Sequence, residues 1–327
     1  VAHRGGTPRR RDASGIEPRR LRRLQCALGV LWLVDGLLAL QPPLLHGGLA
    51  LGIEENAMGE PGVLAHLLLA LGRGLAPHDT AWALLVAVVQ LGLGAAILLP
   101  RTRRLGLAIS VPWALAVWAA GEGFGMLASG YAMLPTGAPG AALLYVLAAV
   151  VLYPGARSVR ARTTWSGLWL LAAALQLVPV ISFGFKLRAN LVELADGQPA
   201  LLAALDHRLG AVAGGHGVAV TAVLVALELA TALAGGLDGP GRAWLLRLGA
   251  LSCALFWVAG ENAGSLFSGA ASDVGAMPLV VLLALAAWPA GEPLLPRTPR
   301  AATAPRATTS PAAGSRSPAT AVAAGVS

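Results

Sequence analysis

Eight apolar runs divide this chain, and most of them lack a polar stripe. They fall at 24–42, 80–100, 104–121, 138–154, 165–184, 212–235, 243–260 and 274–290. A helix on the surface of a soluble protein shows polar residues every few positions along one face. Several of these runs span 17 to 22 residues with almost no charge, enough to cross a hydrocarbon core of about 30 Å. The pattern predicts an all-α, polytopic membrane helical bundle of about eight transmembrane helices. Two further apolar stretches, about 62–72 and 199–210, are too short to span. Leu64, Leu67, Leu68 and Leu71 sit at helical spacing in the first, so it is expected to lie on the membrane surface or cap the bundle.

The connections between the runs alternate in charge. One set carries the N-terminal arginines, Arg101/Arg103/Arg104, Arg157/Arg160/Arg162, Arg242 and the C-terminal arginines. The other carries Glu54, Glu55, Glu60, Asp79, Glu193, Asp196, Asp206 and Asp273, with few bases. Basic connections stay on the cytoplasmic side, so the expectation is a multi-pass protein of the cell (plasma) membrane with both termini cytoplasmic. Residues 1–23 are Arg-rich and lack apolar periodicity. They read as a basic cytoplasmic tail that fixes orientation or lies on anionic headgroups. The first run holds Asp35 and ends in Gln41-Pro42-Pro43 without a small-residue cleavage site, so it reads as a retained helix. Residues 291–327 are rich in Pro, Ala, Thr, Ser and Arg, the composition of a disordered cytoplasmic tail.

One motif occurs twice: Trp118-Ala-Ala-Gly121-Glu122-Gly-Phe-Gly125-Met-Leu127-Ala-Ser129-Gly130 and Trp257-Val-Ala-Gly260-Glu261-Asn-Ala-Gly264-Ser-Leu266-Phe-Ser268-Gly269. Around it, Trp32-x9-Pro42 matches Trp169-x9-Pro179, and Gly59-Glu-Pro61 matches Gly197-Gln-Pro199. His78 matches His216, Gln90 matches Glu228, and Pro139 matches Pro278, at an offset drifting from 137 to 139 residues. The reading is a tandem duplication, with repeats at 24–156 and 157–290. Each half has an even number of spans, so both insert the same way, as a parallel repeat about an axis along the membrane normal.

Composition supports the membrane class. The chain of 327 residues is 56% hydrophobic and 12% charged, with mean hydropathy +0.68, too apolar for an ordinary soluble domain. The net charge of +8 comes mostly from arginine. It reads as a topology signal and not as nucleic-acid binding. Cys26 and Cys253, expected near one membrane face, make neither a disulfide framework nor a cysteine metal site. No P-loop, GxGxxG, CxxC, CxxCH, HExxH or GxSxG element is present, which argues against soluble-type hydrolase or nucleotide chemistry.

The candidate residues follow from cost and recurrence. Asp35 and Glu228 lie inside apolar runs, where a carboxylate costs a few kcal/mol and marks either a ligand or proton-relay position or an interhelical hydrogen bond. Gln90 stands at the position of Glu228 in the first half, and Ala172 at that of Asp35 in the second. Glu122 and Glu261, each with Trp118 or Trp257 one turn before, form either an aromatic-and-carboxylate vestibule for a cation or polar head or an interfacial Trp beside a satisfied Glu. His78 and His216 stand at helix entrances. No set of histidines has metal-site spacing.

One helix reads Leu28-Gly29-Val-Leu-Trp32-Leu-Val-Asp35-Gly36-Leu-Leu-Ala-Leu40, and another Leu-Glu228-Leu-Ala-Thr-Ala-Leu-Ala-Gly235-Gly236 followed by Arg242. On these residues each half resembles the DoxX-like four-helix membrane module. In the first half the second pattern reads Gln90-Leu-Gly92-Leu-Gly94, then Arg101-Thr-Arg103-Arg104. The resemblance implies membrane redox work, including thiosulfate-to-quinone electron transfer, with quinone as the implied cofactor. Gln90 departs from it, so any role of the family's acid rests on Glu228. Three functions compete: a non-enzymatic transport or membrane-binding protein with a site between the repeats, a quinone-linked redox subunit with a redox partner, and a membrane assembly scaffold.

Overall fold

Proline and glycine set the helix boundaries in the computed structural model, which describes residues 15–155, 157–178 and 185–295. Helix α1 runs from Pro18 to Leu38, α2 from Leu49 to Glu55, α3 from Gly62 to Leu75 and α4 from Asp79 to Leu98. Then come α5 (Arg103–Ala120), α6 (Ala141–Leu152), α7 (Ser158–Gln176), α8 (Phe185–Leu194) and α9 (Ala200–Gly215). The last are α10 (Gly217–Ala232), α11 (Gly239–Gly260) and α12 (Met277–Ala287). Among the described residues there is no strand, only an isolated bridge between Gly15 and Arg157. Three helical stretches, Gly62–Leu98, Gly217–Gly235 and Gly239–Gly260, are long and apolar enough to cross a membrane.

Several boundaries differ from the sequence expectation. Helix α1 begins at Pro18 and not at 24, because proline suits the first helical position. The basic stretch therefore contributes Arg19–Arg23 to the helix; 1–14 and 296–327 lie outside the described residues, as does Pro179. The short helices expected at about 62–72 and 199–210 appear as α3 and α9, while α2 and α8 were not foreseen. Cys26 lies near the start of α1, but Cys253 lies in the last third of α11. The start of α1 and the start of α11 belong to the same end of the bundle, so the two free thiols do not share a level.

The largest difference concerns the runs 138–154 and 274–290. They contain only the 12-residue α6 and the 11-residue α12. At 1.5 Å per residue these reach about 18 and 17 Å, roughly half of a 30 Å hydrocarbon core. Tyr153-Pro154 and Trp288-Pro289 end them, since the residue before a proline is pushed out of the helical region. Both are central. Leu144, Tyr145, Ala148 and Leu152 of α6, and Leu279, Val280, Leu283 and Ala284 of α12, are buried in the main core. Trp32, Trp165 and Trp169 are buried there too. Helix α12 packs on α6, α7, α11 and α1. The main outer pairs are α1 with α4, α7 with α10, and α5 with α6.

Candidate functional site

The repeated motif becomes legible atom by atom. After α5, Trp118 donates its Nε1–H to the Pro139 carbonyl at 2.8 Å; after α11, Trp257 donates to the Val274 carbonyl at 2.8 Å. Glu122 accepts from the Ala142 amide at 2.9 Å, in the first turn of α6. Glu261 accepts from the Ala276 and Met277 amides, at 3.2 and 3.3 Å, where α12 begins. Each glutamate thus satisfies orphan amides at the positive end of a half-length helix, which stabilises it by roughly 1 kcal/mol. Glycine is required where these groups pass. A Cβ on Gly125 would lie 1.9 Å from the Pro139 oxygen, and one on Gly264 would lie 2.4 Å from the Val274 oxygen.

These contacts revise one sequence match. Pro139 is the counterpart of Val274, not of Pro278, because each accepts from the motif's tryptophan and abuts the glycine seven residues after it, Gly125 or Gly264. The segment from motif to helix is four residues shorter in the second copy (Gly130 to Gly140 against Gly269 to Gly275). Continuing the constant offset across it shifts the pairing by one helical turn.

Both motifs open on one cleft of about 320 Å³. Glu122 and Glu261 line it, with Thr136, Gly137, Ser265 and Asp273. Ala141 and Ala276 also line it, so the N-terminal ends of α6 and α12 both reach its wall. Burial pushes the Glu122 carboxyl up to about 8, reinforced by the charge of Asp273 and opposed by the helix amides. Burial likewise raises Glu261 to about 8, opposed by the Met277 amide and reinforced by Asp273. Near neutral pH both are largely protonated, and Asp273 is left as a half-exposed acid. Its Oδ1 accepts from the Gly275 amide and its Oδ2 from Ser272.

Segments distant in sequence tie across to one another around this cleft. Asp35, 1% exposed, accepts from the Tyr145 hydroxyl at 2.5 Å and from the Val274 amide at 3.1 Å. It thereby joins α1 to α6 and to the loop before α12. Trp32 stacks on the Tyr145 ring at 4.0 Å. In the other direction Asn190 of α8 donates to the Tyr131 carbonyl at 3.2 Å and to Thr136 Oγ1 at 2.9 Å. Asp35 therefore acts as a buried interhelical hydrogen-bonding group beside the cleft.

The remaining candidates lie elsewhere. Gln90 is buried in α4, in the α1–α4 pair. Glu228 is fully buried in α10, where Gln176 of α7 donates to its Oε1 at 3.3 Å. Neither lines the cleft. His78 and His216 are exposed residues at the breaks before α4 and α10, with nearly the same backbone angles (φ −129°, ψ 28° and φ −127°, ψ 35°). Among the described residues no three His, Cys, Asp or Glu side chains could hold a metal ion.

Two features escaped the sequence reading. Lys186, the lone lysine in the chain, is 3% exposed and donates to the Leu175 carbonyl. Burial lowers its pKa, and the nearby Glu228 charge opposes that. Asn262, in the second motif, donates to the Leu194 carbonyl and to Asp206, both at 2.8 Å, clamping α8 and α9 to the loop. The available signal was that Asn262 stands where the first motif has Gly123. Comparison with family models, curated proteins and solved structures finds no match.

Proposed function

We propose that the chain is a polytopic plasma-membrane protein of two parallel repeats, with about eight crossings and both termini cytoplasmic, which binds and moves a small polar or cationic solute. The observation that carries this reading is the cleft lined by three acids, Glu122, Glu261 and Asp273, in which the two glutamates already cap the positive ends of the half-length α6 and α12. Irregular backbone at membrane depth is tolerated where it is buried in protein or lines a water-filled cavity. Discontinuous helices meeting at a repeat interface are how many transporters build a solute site. Asp273 adds a third, half-exposed acid to the lining. Glu122 and Glu261 supply carboxyls that a bound cation would ionise, releasing protons as it enters.

The positive-inside alternation of the connections supports the orientation, and the recurring motif geometry supports the repeat. The DoxX-like redox alternative rests on residues of α1, α4 and α10 and on the basic turns that follow α4 and α10, none of which lines the cleft. A quinone would have to be accommodated with a redox partner. The scaffold alternative is served by the same capping contacts with no solute.

Uptake by proteoliposomes tests the reading. The full chain, reconstituted, is expected to take up at least one member of a panel of alkali and small organic cations above empty vesicles. Asp273→Asn is expected to reduce that uptake roughly tenfold, the effect of removing one charge from a poorly solvated site. Uptake equal to empty vesicles for the whole panel overturns the transport reading.

A further inference from the structure

A second cavity, of about 400 Å³, lies at the opposite end of the bundle. Its lining is Pro18, Arg19, Leu21, Arg22 and Gln25 of α1, Pro100, Arg103 and Arg104 at the α4–α5 turn, and Pro154 after α6. Four arginines face one space, and no acid lines it. Among the described residues none of the four has an acidic partner. Arg103 is held in place by the α4 carboxyl end, donating to the Ile97 carbonyl at 2.9 Å and the Leu98 carbonyl at 3.1 Å. Gln25 forms a fixed floor, its Nε2 donating to the Leu152 carbonyl at 2.8 Å.

This arrangement is unfavourable as it stands. Arg19 lies in the first turn of α1, and Arg103 and Arg104 lie in the first turn of α5. Neither first turn contains an acid, and Glu17 before α1 makes no side-chain cap bond. Cations at a helix's positive end are destabilising, and an anion there is stabilising. Arg103 is satisfied by the last carbonyls of α4, but two such helix ends and the guanidinium groups of Arg19, Arg22 and Arg104 around one cavity still call for an anion with several acceptor oxygens, such as a phosphate. The rim says which kind. Leu99 (57% exposed), Leu105 (60%) and Tyr153 (40%) adjoin Pro100, Arg104 and Pro154. Apolar side chains open to the outside beside arginines at helix ends fit a phosphate that arrives with acyl chains.

We propose that this pocket binds the phosphate headgroup of an anionic phospholipid. The inference does not depend on what the cleft at the other end binds. Basic pockets between membrane helices on the cytoplasmic side suit such headgroups. The site would anchor α1 against the α4–α5 turn, and so fix the helix pair that carries Asp35.

Native mass spectrometry of the full chain, delipidated and then given phosphatidylglycerol or phosphatidylcholine, tests it. Phosphatidylglycerol is expected to remain bound where phosphatidylcholine does not. Arg22→Gln/Arg104→Gln is expected to weaken retention about 30-fold, from two arginines near the membrane surface. Arg73→Gln/Arg160→Gln, which removes two exposed arginines outside the pocket, should leave it unchanged. Inorganic phosphate is the third arm. If it displaces the lipid in the wild type at low millimolar concentration, the source is free phosphate and the lipid assignment falls. Equal retention of both lipids, or retention that ignores the Arg22/Arg104 change, overturns the site.

Discussion

Gly260→Ala is expected to lower stability by about 3 kcal/mol or more, although alanine at a helix end favours helix by about 1 kcal/mol. A Cβ there would fall 1.8 Å from the Pro135 carbonyl oxygen and 2.9 Å from its carbon. Those atoms are backbone of the first copy's loop, held by Asn190 through Tyr131 and Thr136. They cannot swing aside as a flexible side chain would. The counterpart Gly121 behaves differently, because its Cβ would meet only the Val117 carbonyl of the preceding turn, at 3.0 Å. Gly121→Ala should therefore cost less than about 1 kcal/mol. Thermal unfolding in mild detergent separates the two. Equal midpoints for both variants would mean that the first loop does not pack on the end of α11, and the cleft would lose a wall.

The pH dependence of stability should report the two motif glutamates. Their folded values stand at about 8, raised by burial from the ordinary 4.5. The folded state then holds protons that the unfolded state has released. Stability from these groups is fully present below pH about 4.5 and declines as the pH rises toward 8, where it levels off. The slope in that window approaches about 1.4 kcal/mol per pH unit per group. Glu122→Gln/Glu261→Gln keeps an acceptor for the helix amides and removes the proton, so the variant should fold. Its unfolding midpoint should fall less steeply than that of the wild type between pH 5 and 8. Parallel curves would show that the carboxyls are already ionised on their helix ends. Alanine at both positions, which removes the caps, should cost about 1–2 kcal/mol each at pH 6.

What the sequence revealed depended on which physical signal each feature leaves. Uniform apolar runs mark α4, α5, α10 and α11 within about five residues, because a helix that is apolar all round leaves a composition signal that needs no partner. Hydropathy could not separate α6 from the segment before it. Met133, Leu134, Pro135 and Ala138 are as apolar as the helix, and all four are buried outside any α-helix. The half-length character of α6 and α12 was therefore hidden, and with it the structural reason for a Glu in each motif. Recurrence singled out Glu122 and Glu261, which line the cleft, together with Trp118 and Trp257, which do not. It could not say that Glu122 and Glu261 first serve as helix caps. Lys186 and Asn262 have no counterpart in the other half, where Gly123 replaces Asn262, so a repeat-based reading passed over both. Asp35 was legible as costly. Its partners Tyr145 and Val274 are distant in sequence, at 110 and 239 residues.

The central claim is that the cleft between the Gly-Glu loops holds a small ligand. It is tested most directly by native mass spectrometry of the protein gently extracted from its own membrane, wild type beside Glu122→Gln/Glu261→Gln. A bound small polar or cationic molecule in the wild type, absent or much reduced in the variant, is the predicted result. Only ordinary lipid in both would contradict it and leave the two glutamates as helix caps, while a quinone lost in the variant would replace solute movement with redox work at the same cleft.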